Sequence, residues 1–148
     1  MSRKTIISTL VVLVVLVLGG IVVWKTLGPR EPGEIRLGAV LPLTGDIASY
    51  GKNAQSGIDL AVEEINSGGV GGKRIQVIYE DDKGLASEAV KIVQKMITVD
   101  RVPLVMGSAA SSVTLAMTPI ANRNKVVLIS PISSSKELEI RSRWHLVS

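Results

Sequence analysis

The 148-residue sequence contains no cysteine and no phenylalanine, a single histidine, and only two tyrosines and two tryptophans. Without cysteine there is no disulfide framework, no thiolate-held zinc, no thiol nucleophile and no cysteine to carry a lipid behind a leader peptide. His145 stands alone, so a zinc site built on histidines is excluded as well. The scarcity of aromatics removes the stacking platform on which single-stranded nucleic acid is held. Acid is missing locally. The first thirty residues hold Arg3, Lys4, Lys25 and Arg30 and no Asp or Glu, whereas the other 118 hold 13 basic and 13 acidic side chains. The net charge of +4 therefore belongs to one end of the chain rather than to a basic face, and nucleic acid is not an expected partner.

That basic end surrounds the longest apolar run. Residues 6–24, "IISTLVVLVVLVLGGIVVW", carry no charge over nineteen positions. At about 1.5 Å per residue the run nearly spans a bilayer core of about 30 Å. It is read as an uncleaved transmembrane signal-anchor helix behind a basic tail at 1–5. A cleaved signal would have a shorter apolar region and a small-x-small site, and "WKTLGPREPGE" offers none. Basic residues flank both ends in equal number, so the charges do not set the orientation. Residues 25–34, with two prolines and two glycines, form a linker.

Beyond the linker the periodicity switches regularly. Short Val-, Ile- and Leu-rich runs at 34–41, 74–80, 102–106 and 126–130 alternate with helical patterns at 53–69, 86–98 and 111–125. The first helix is expected to bury Ala54, Ile58, Ala61, Val62 and Ile65 and to stop at Gly68–Gly69; the second is expected to bury Ala86, Ala89, Val90, Val93 and Ile97. Strands apolar on both faces, joined by helices, predict an α/β fold: a three-layer, Rossmann-like parallel sheet with right-handed crossovers. Such sheets bind ligands outside the carboxyl ends of their strands. Here those ends are "PLTG" (42–45), "EDD" (80–82), "GSAASS" (107–112) and "SPISSS" (130–135).

Three motifs offer chemistry. "SGGVGGKR" (67–74) looks like a phosphate loop, but Ser67 stands where the first glycine belongs, Arg74 where Ser or Thr belongs, and the loop follows a helix instead of preceding one. It is expected to be a helix-to-strand turn, and no cofactor is implied. "YEDD" (79–82) could place carboxylates for acid–base or metal chemistry; the expectation is a solvated loop with one Asp capping the next helix. "GSAASSVT" (107–114) lacks the glycine of a nucleophile elbow and has no histidine near it in sequence, so no enzyme is expected. Two readings stay open. Ser111 or Ser112 caps its own helix, or the helix start, with its unpaired amides and positive dipole end, receives a carboxylate.

The stretches "IRLGAVLPLTGDIASYGKNAQSGIDLAVEEINSGGVGGKRIQVIYEDDKG" and "VPLVMGSAASSVTLAMTPIANRNKVVLISPISSS" together resemble the N-terminal lobe of the periplasmic leucine/isoleucine/valine-binding proteins of ABC transporters, of the type I periplasmic-binding-protein fold. The resemblance covers about residues 35–136, and "PLTG…YG", "EIN..GG", "DD" and "G…SS" recur in family order. It implies extracytoplasmic capture of an amino acid or similar small polar ligand and delivery to a membrane permease. It also implies a site. Ser111, with Ser112, meets the ligand carboxylate; Ile132 and Ser134 provide a carbonyl and a hydroxyl, with Ser133 beside them; Tyr50 lines the cleft.

Two departures accompany it. The family's second lobe, which supplies the other half of the cleft, is not in these residues, and the text stops at "RWHLVS" where a further strand is expected, so 35–148 reads as an incomplete lobe. The apolar run at 6–24 replaces a cleaved or lipid-modified leader, which leaves a tethered transport receptor or the ligand-sensing ectodomain of a membrane signalling protein.

Overall fold

The computed structural model describes residues 33–141, with side chains through Leu138. The basic tail, the apolar run at 6–24, most of the linker and "RWHLVS" lie outside the described residues. Among those described, no helix is long and apolar enough to cross a membrane.

The elements alternate as strand and helix: β1 (Glu34–Leu41), α1 (Ala48–Gly68), β2 (Arg74–Asp81), α2 (Ala86–Thr98), β3 (Leu104–Gly107), α3 (Ser111–Asn124), β4 (Val127–Ile129) and α4 (Lys136–Arg141). All pairings are parallel, in the order β2-β1-β3-β4. The predicted alternation is thus observed, with α1 starting five residues earlier than its apolar pattern and α4 adding a short helix that the pattern did not mark.

The largest buried cluster lies on one side of the sheet; Ala39 and Leu41, which flank Val40 on β1 and so alternate to the other face, are wholly buried as well. Ala89, Val93 and Met96 recur at helical spacing along α2, and Val113, Met117 and Ala121 along α3; all are buried. All but Ala121 cluster with Val40 of β1 and Val105 of β3, together with Val102 and Val126 at the strand approaches. Each valine or methionine so removed from water contributes about 1.5–3 kcal/mol. Of the stripe expected along α2, Ala89 and Val93 are buried, Val90 and Ile97 half-buried and Ala86 exposed, and Met96 is buried in addition.

Helix α1 contributes nothing to that cluster. A right-handed crossover from β1 outward to β2 places α1 on the opposite face from α2 and α3, whose crossovers run the other way past β1. Only Gly51 of α1 is fully buried; Ala54, Ile58 and Val62 are half-buried, and Ala61 and Ile65 are exposed, so the expected stripe is covered only in part. The double glycine stops the helix as expected: Gly69 has φ 70°, and its amide donates to the Ile65 carbonyl at 2.9 Å. The following "VGGK" closes on itself, Val70 and Lys73 exchanging backbone hydrogen bonds of 2.8 and 3.0 Å, which makes "SGGVGGKR" a turn between helix and strand.

The pairing aligns the strand ends: Leu41 lies opposite Asp81, Val40 opposite Gly107, and Met106 opposite Ile129. From β1 the chain passes to β2 on one side and returns to β3 on the other, so the strand order reverses between β1 and β3. That reversal is where open parallel sheets leave a crevice.

Candidate functional site

A hollow of about 290 Å³ opens at the carboxyl edge of the sheet, lined by Ile47, Tyr50, Ala109, Ala110, Ser111, Ile132 and Ser134. Three loops build it. The β1–α1 loop brings Ile47 and the first turn of α1 with Tyr50, the β3–α3 loop brings 109–111, and the β4–α4 loop brings Ile132 and Ser134.

Each loop is held from below by polar contacts. Asp81, at the end of β2, anchors the β1–α1 loop: its Oδ1 accepts from the amides of Leu43 (2.8 Å), Thr44 (3.2 Å) and Lys83 (2.9 Å), and its Oδ2 from the Thr44 hydroxyl. Burial pushes this carboxyl up, but the Thr44 hydroxyl and the three amides outweigh it and hold it below its ordinary range. Asp82 is wholly buried. It accepts from the Ser108 hydroxyl and, at 2.7 Å, from the Gly84 amide. Burial pushes it above its ordinary range; the bonds from Ser108 and Gly84 oppose this, and the charge of Asp81 adds to it. Neither acid caps α2 as expected, because the cap position is Leu85 and has no side-chain bond. Asp81 is turned towards the loop of the neighbouring strand β1, and Asp82 towards the loop after β3, one strand further on. Among the described residues, no group of three or more acids or histidines could hold a metal ion.

The opposite shifts have a measurable consequence. A carboxyl raised in the fold contributes stability that is present below its unfolded pKa and lost as pH rises through its folded one. Asp82→Asn removes that loss while keeping the size of the side chain. The stability of the variant relative to the parent is therefore expected to improve between pH 3 and pH 7, read from urea midpoints at each pH. A difference that stays constant or moves the other way contradicts the assignment.

The hydroxyls of "GSAASSVT" divide. Ser108 and Thr114 are buried, and the Ser108 amide donates to Thr114 Oγ1 at 2.9 Å. Ser111 faces the hollow, and its Oγ accepts from the Ser134 amide at 3.3 Å. Ser112 is exposed and does not line the hollow. The cap of α3 is Ala110, without a side-chain bond, so neither Ser111 nor Ser112 caps the helix. The amides of Val113 and Thr114 return to the Ala110 carbonyl (3.1 and 3.0 Å), while those of Ser111 and Ser112 have no partner among the described residues. The structure thus brings Tyr50, Ser111, Ile132 and Ser134 together. Ser133 is turned inward, 2.7 Å from Thr114 Oγ1 and with its hydroxyl 3.0 Å from the Ser108 carbonyl. Ile47, Ala109 and Ala110 were not singled out by their chemistry; their places beside strand ends are the only trace of them in the sequence.

Against known proteins, residues 34–148 match the periplasmic binding protein family. The chain is 30% identical over 114 residues to the Leu/Ile/Val-binding protein BraC3 of Rhizobium johnstonii, a stretch amounting to 76% of this chain and 31% of that protein. Among solved structures, the branched-chain amino acid transporter substrate binding protein LivJ of Streptococcus pneumoniae, in complex with isoleucine, is 36% identical and matches with a TM-score of 0.70 over 72% of this chain and 31% of its own. A solute binding protein of an ABC transporter from Rhodopseudomonas palustris, in complex with 3,4-dihydroxybenzoic acid, is 28% identical, with a TM-score of 0.71 over 76% of this chain and 31% of its own. The chain accordingly spans under a third of the length of these relatives. With the matched residues covering every described strand, the chain belongs to the periplasmic binding protein family and carries the parallel α/β architecture of its type I lobe.

Proposed function

We propose that the hollow holds the carboxylate of a small solute, an amino acid or an aromatic acid, and that the protein is the extracytoplasmic solute-binding component of an ABC transporter. The observation that carries this reading is the start of α3: Ser111 lines the hollow, and its amide and that of the adjoining Ser112 have no partner among the described residues. Backbone amides and the positive end of a fourteen-residue helix favour an anion there without a formal cation. The ligands of LivJ and of the Rhodopseudomonas palustris protein, isoleucine and 3,4-dihydroxybenzoic acid, share a carboxylate and little else.

In this reading Ser111, with the Ser112 amide, takes the carboxylate. The Ile132 carbonyl and the Ser134 hydroxyl face the rest of the solute, an ammonium where it is an amino acid, and Tyr50, 57% exposed, forms a wall that a solute would cover. Ser133 braces the loop without touching the solute. The solute is bound without turnover, and its partner is a permease in the membrane. The apolar run at 6–24 would tether the receptor to that membrane.

Isothermal titration of the full-length protein with the twenty amino acids and with hydroxybenzoates tests the reading. Heat of binding from at least one carboxylate, absent with its amide, is expected; no heat from any of them overturns it. Ser111→Ala is expected to weaken that binding by about 1–3 kcal/mol, since it removes a hydrogen bond to a charged group. Its thermal midpoint should hardly move, because the hydroxyl caps nothing. An unchanged affinity returns Ser111 to the loop scaffold.

A further inference from the structure

Two of the three loops that build the hollow, β3–α3 and β4–α4, leave the sheet from neighbouring strands, and several hydroxyls join them, with that of Thr114 at the centre. Thr114 stands in the first turn of α3, is 1% exposed, and does not line the hollow. Its Oγ1 accepts from the Ser108 amide at 2.9 Å and lies 3.2 Å from the carbonyls of Ser108 and of Ala110. On the other loop it is 2.7 Å from Ser133 Oγ. Ser133 is fastened further: its amide donates to Ser130 Oγ at 2.9 Å, and the Ser130 hydroxyl donates to the Ser108 carbonyl at 2.8 Å.

The position of Ser133 in the chain gives this consequence. It lies between Ile132 and Ser134, both of which line the hollow. Holding residue 133 inward leaves its two neighbours at the rim. A threonine whose only task was to bond the carbonyl one turn back would need Ala110 alone. Thr114 instead sits where the backbone of one loop and the side chain of the other converge.

We propose that Thr114 is a positioning residue: its hydroxyl ties the β3–α3 loop to the β4–α4 loop at the spacing that makes Ser111, Ile132 and Ser134 face one hollow. The proposal rests on the reading of that hollow as the solute site. Thr114→Val keeps the shape of the side chain and removes the oxygen, leaving the buried Ser108 amide and the Ser133 hydroxyl without it.

Two measurements on the full-length protein test the tie. Amide hydrogen exchange by NMR is expected to accelerate about tenfold at Ile132, Ser133 and Ser134 in Thr114→Val, beyond any change at core amides such as Val93 and Val105. Solute affinity is expected to fall about tenfold. Thr114→Ser, which keeps the oxygen, should restore both. Ser133→Ala should reproduce the faster exchange at Ile132 and Ser134, and adding Thr114→Val to it should add little. Parent-like exchange at 132–134 in Thr114→Val overturns the proposal. So does faster exchange with parent affinity, because the tie would then position nothing. If the parent protein binds none of the carboxylates, the reading of the hollow fails, and the exchange measurement alone decides whether Thr114 joins the loops. If Thr114→Val does not fold, Ser133→Ala decides by the same exchange criterion.

Discussion

Gly107→Ala is expected to destabilise the protein by about 4 kcal/mol or more, enough to leave little folded material. Gly107 ends β3 with φ 134°, a backbone conformation that side chains bearing a Cβ rarely adopt. A Cβ there would sit 1.9 Å from the Val40 carbonyl oxygen and 2.9 Å from its carbon. Val40 is the register partner of Gly107 on the inner strand β1, so it cannot withdraw without opening the sheet at the edge where the hollow lies. Strain and clash add, because neither is relieved by moving a flexible side chain. Urea unfolding followed by circular dichroism measures the effect, and a loss below about 1 kcal/mol would show that the β3–α3 loop has a second conformation open to it.

The second large effect runs against helix propensity. Gly51 lies in the first turn of α1, where alanine would ordinarily stabilise a helix by about 1 kcal/mol over glycine. Here the added Cβ would meet the Pro42 carbonyl oxygen at 2.1 Å and its carbon at 2.7 Å. The close approach lets α1 begin directly over the end of β1, in the loop that Asp81 anchors. Gly51→Ala is expected to cost about 2–4 kcal/mol net and to shift the first turn of α1 away from the sheet. Ile47 and Tyr50 move with that turn, so solute affinity should fall together with the urea midpoint. A variant with raised stability and intact affinity would mean that the turn accommodates the methyl.

These two glycines show what a local reading misses. Gly107 opens the hydroxyl-rich stretch and reads as a turn glycine; Gly51 reads as a weak spot in a helix. Each is required by a backbone segment outside its own element, Val40 on another strand in one case and Pro42 at the end of β1 in the other. Asp82 is similar. In "YEDD" it looks like a solvated acid, and it becomes a wholly buried one only because β3 brings Ser108 beside it.

The hydroxyls at 107–114 and 130–135 make the same point for the site. Their clustering at strand ends was visible, since strand and helix periods are local and the loops fall between them. Tyr50, Ile132 and Ser134 are marked by family resemblance, and no spacing pattern selects them. Which serine faces outward was not visible in either way. Ser111 and Ser134 line the hollow, Ser112 points to solvent, and Ser108, Thr114 and Ser133 brace one another, although all are small and hydroxylated.

By itself the sequence determined the α/β alternation, the parallel sense of the strands, the glycine stop of α1, the turn character of "SGGVGGKR" and the edge of the sheet where a ligand would approach. Those features follow from residue periodicity and from backbone freedom within a few positions. Only the tertiary structure decided how the acids and hydroxyls at that edge divide between bracing and lining, and how little of α1 is covered. Both depend on which strands become neighbours, and that neighbourhood sets which polar groups lose water and must find partners in one another.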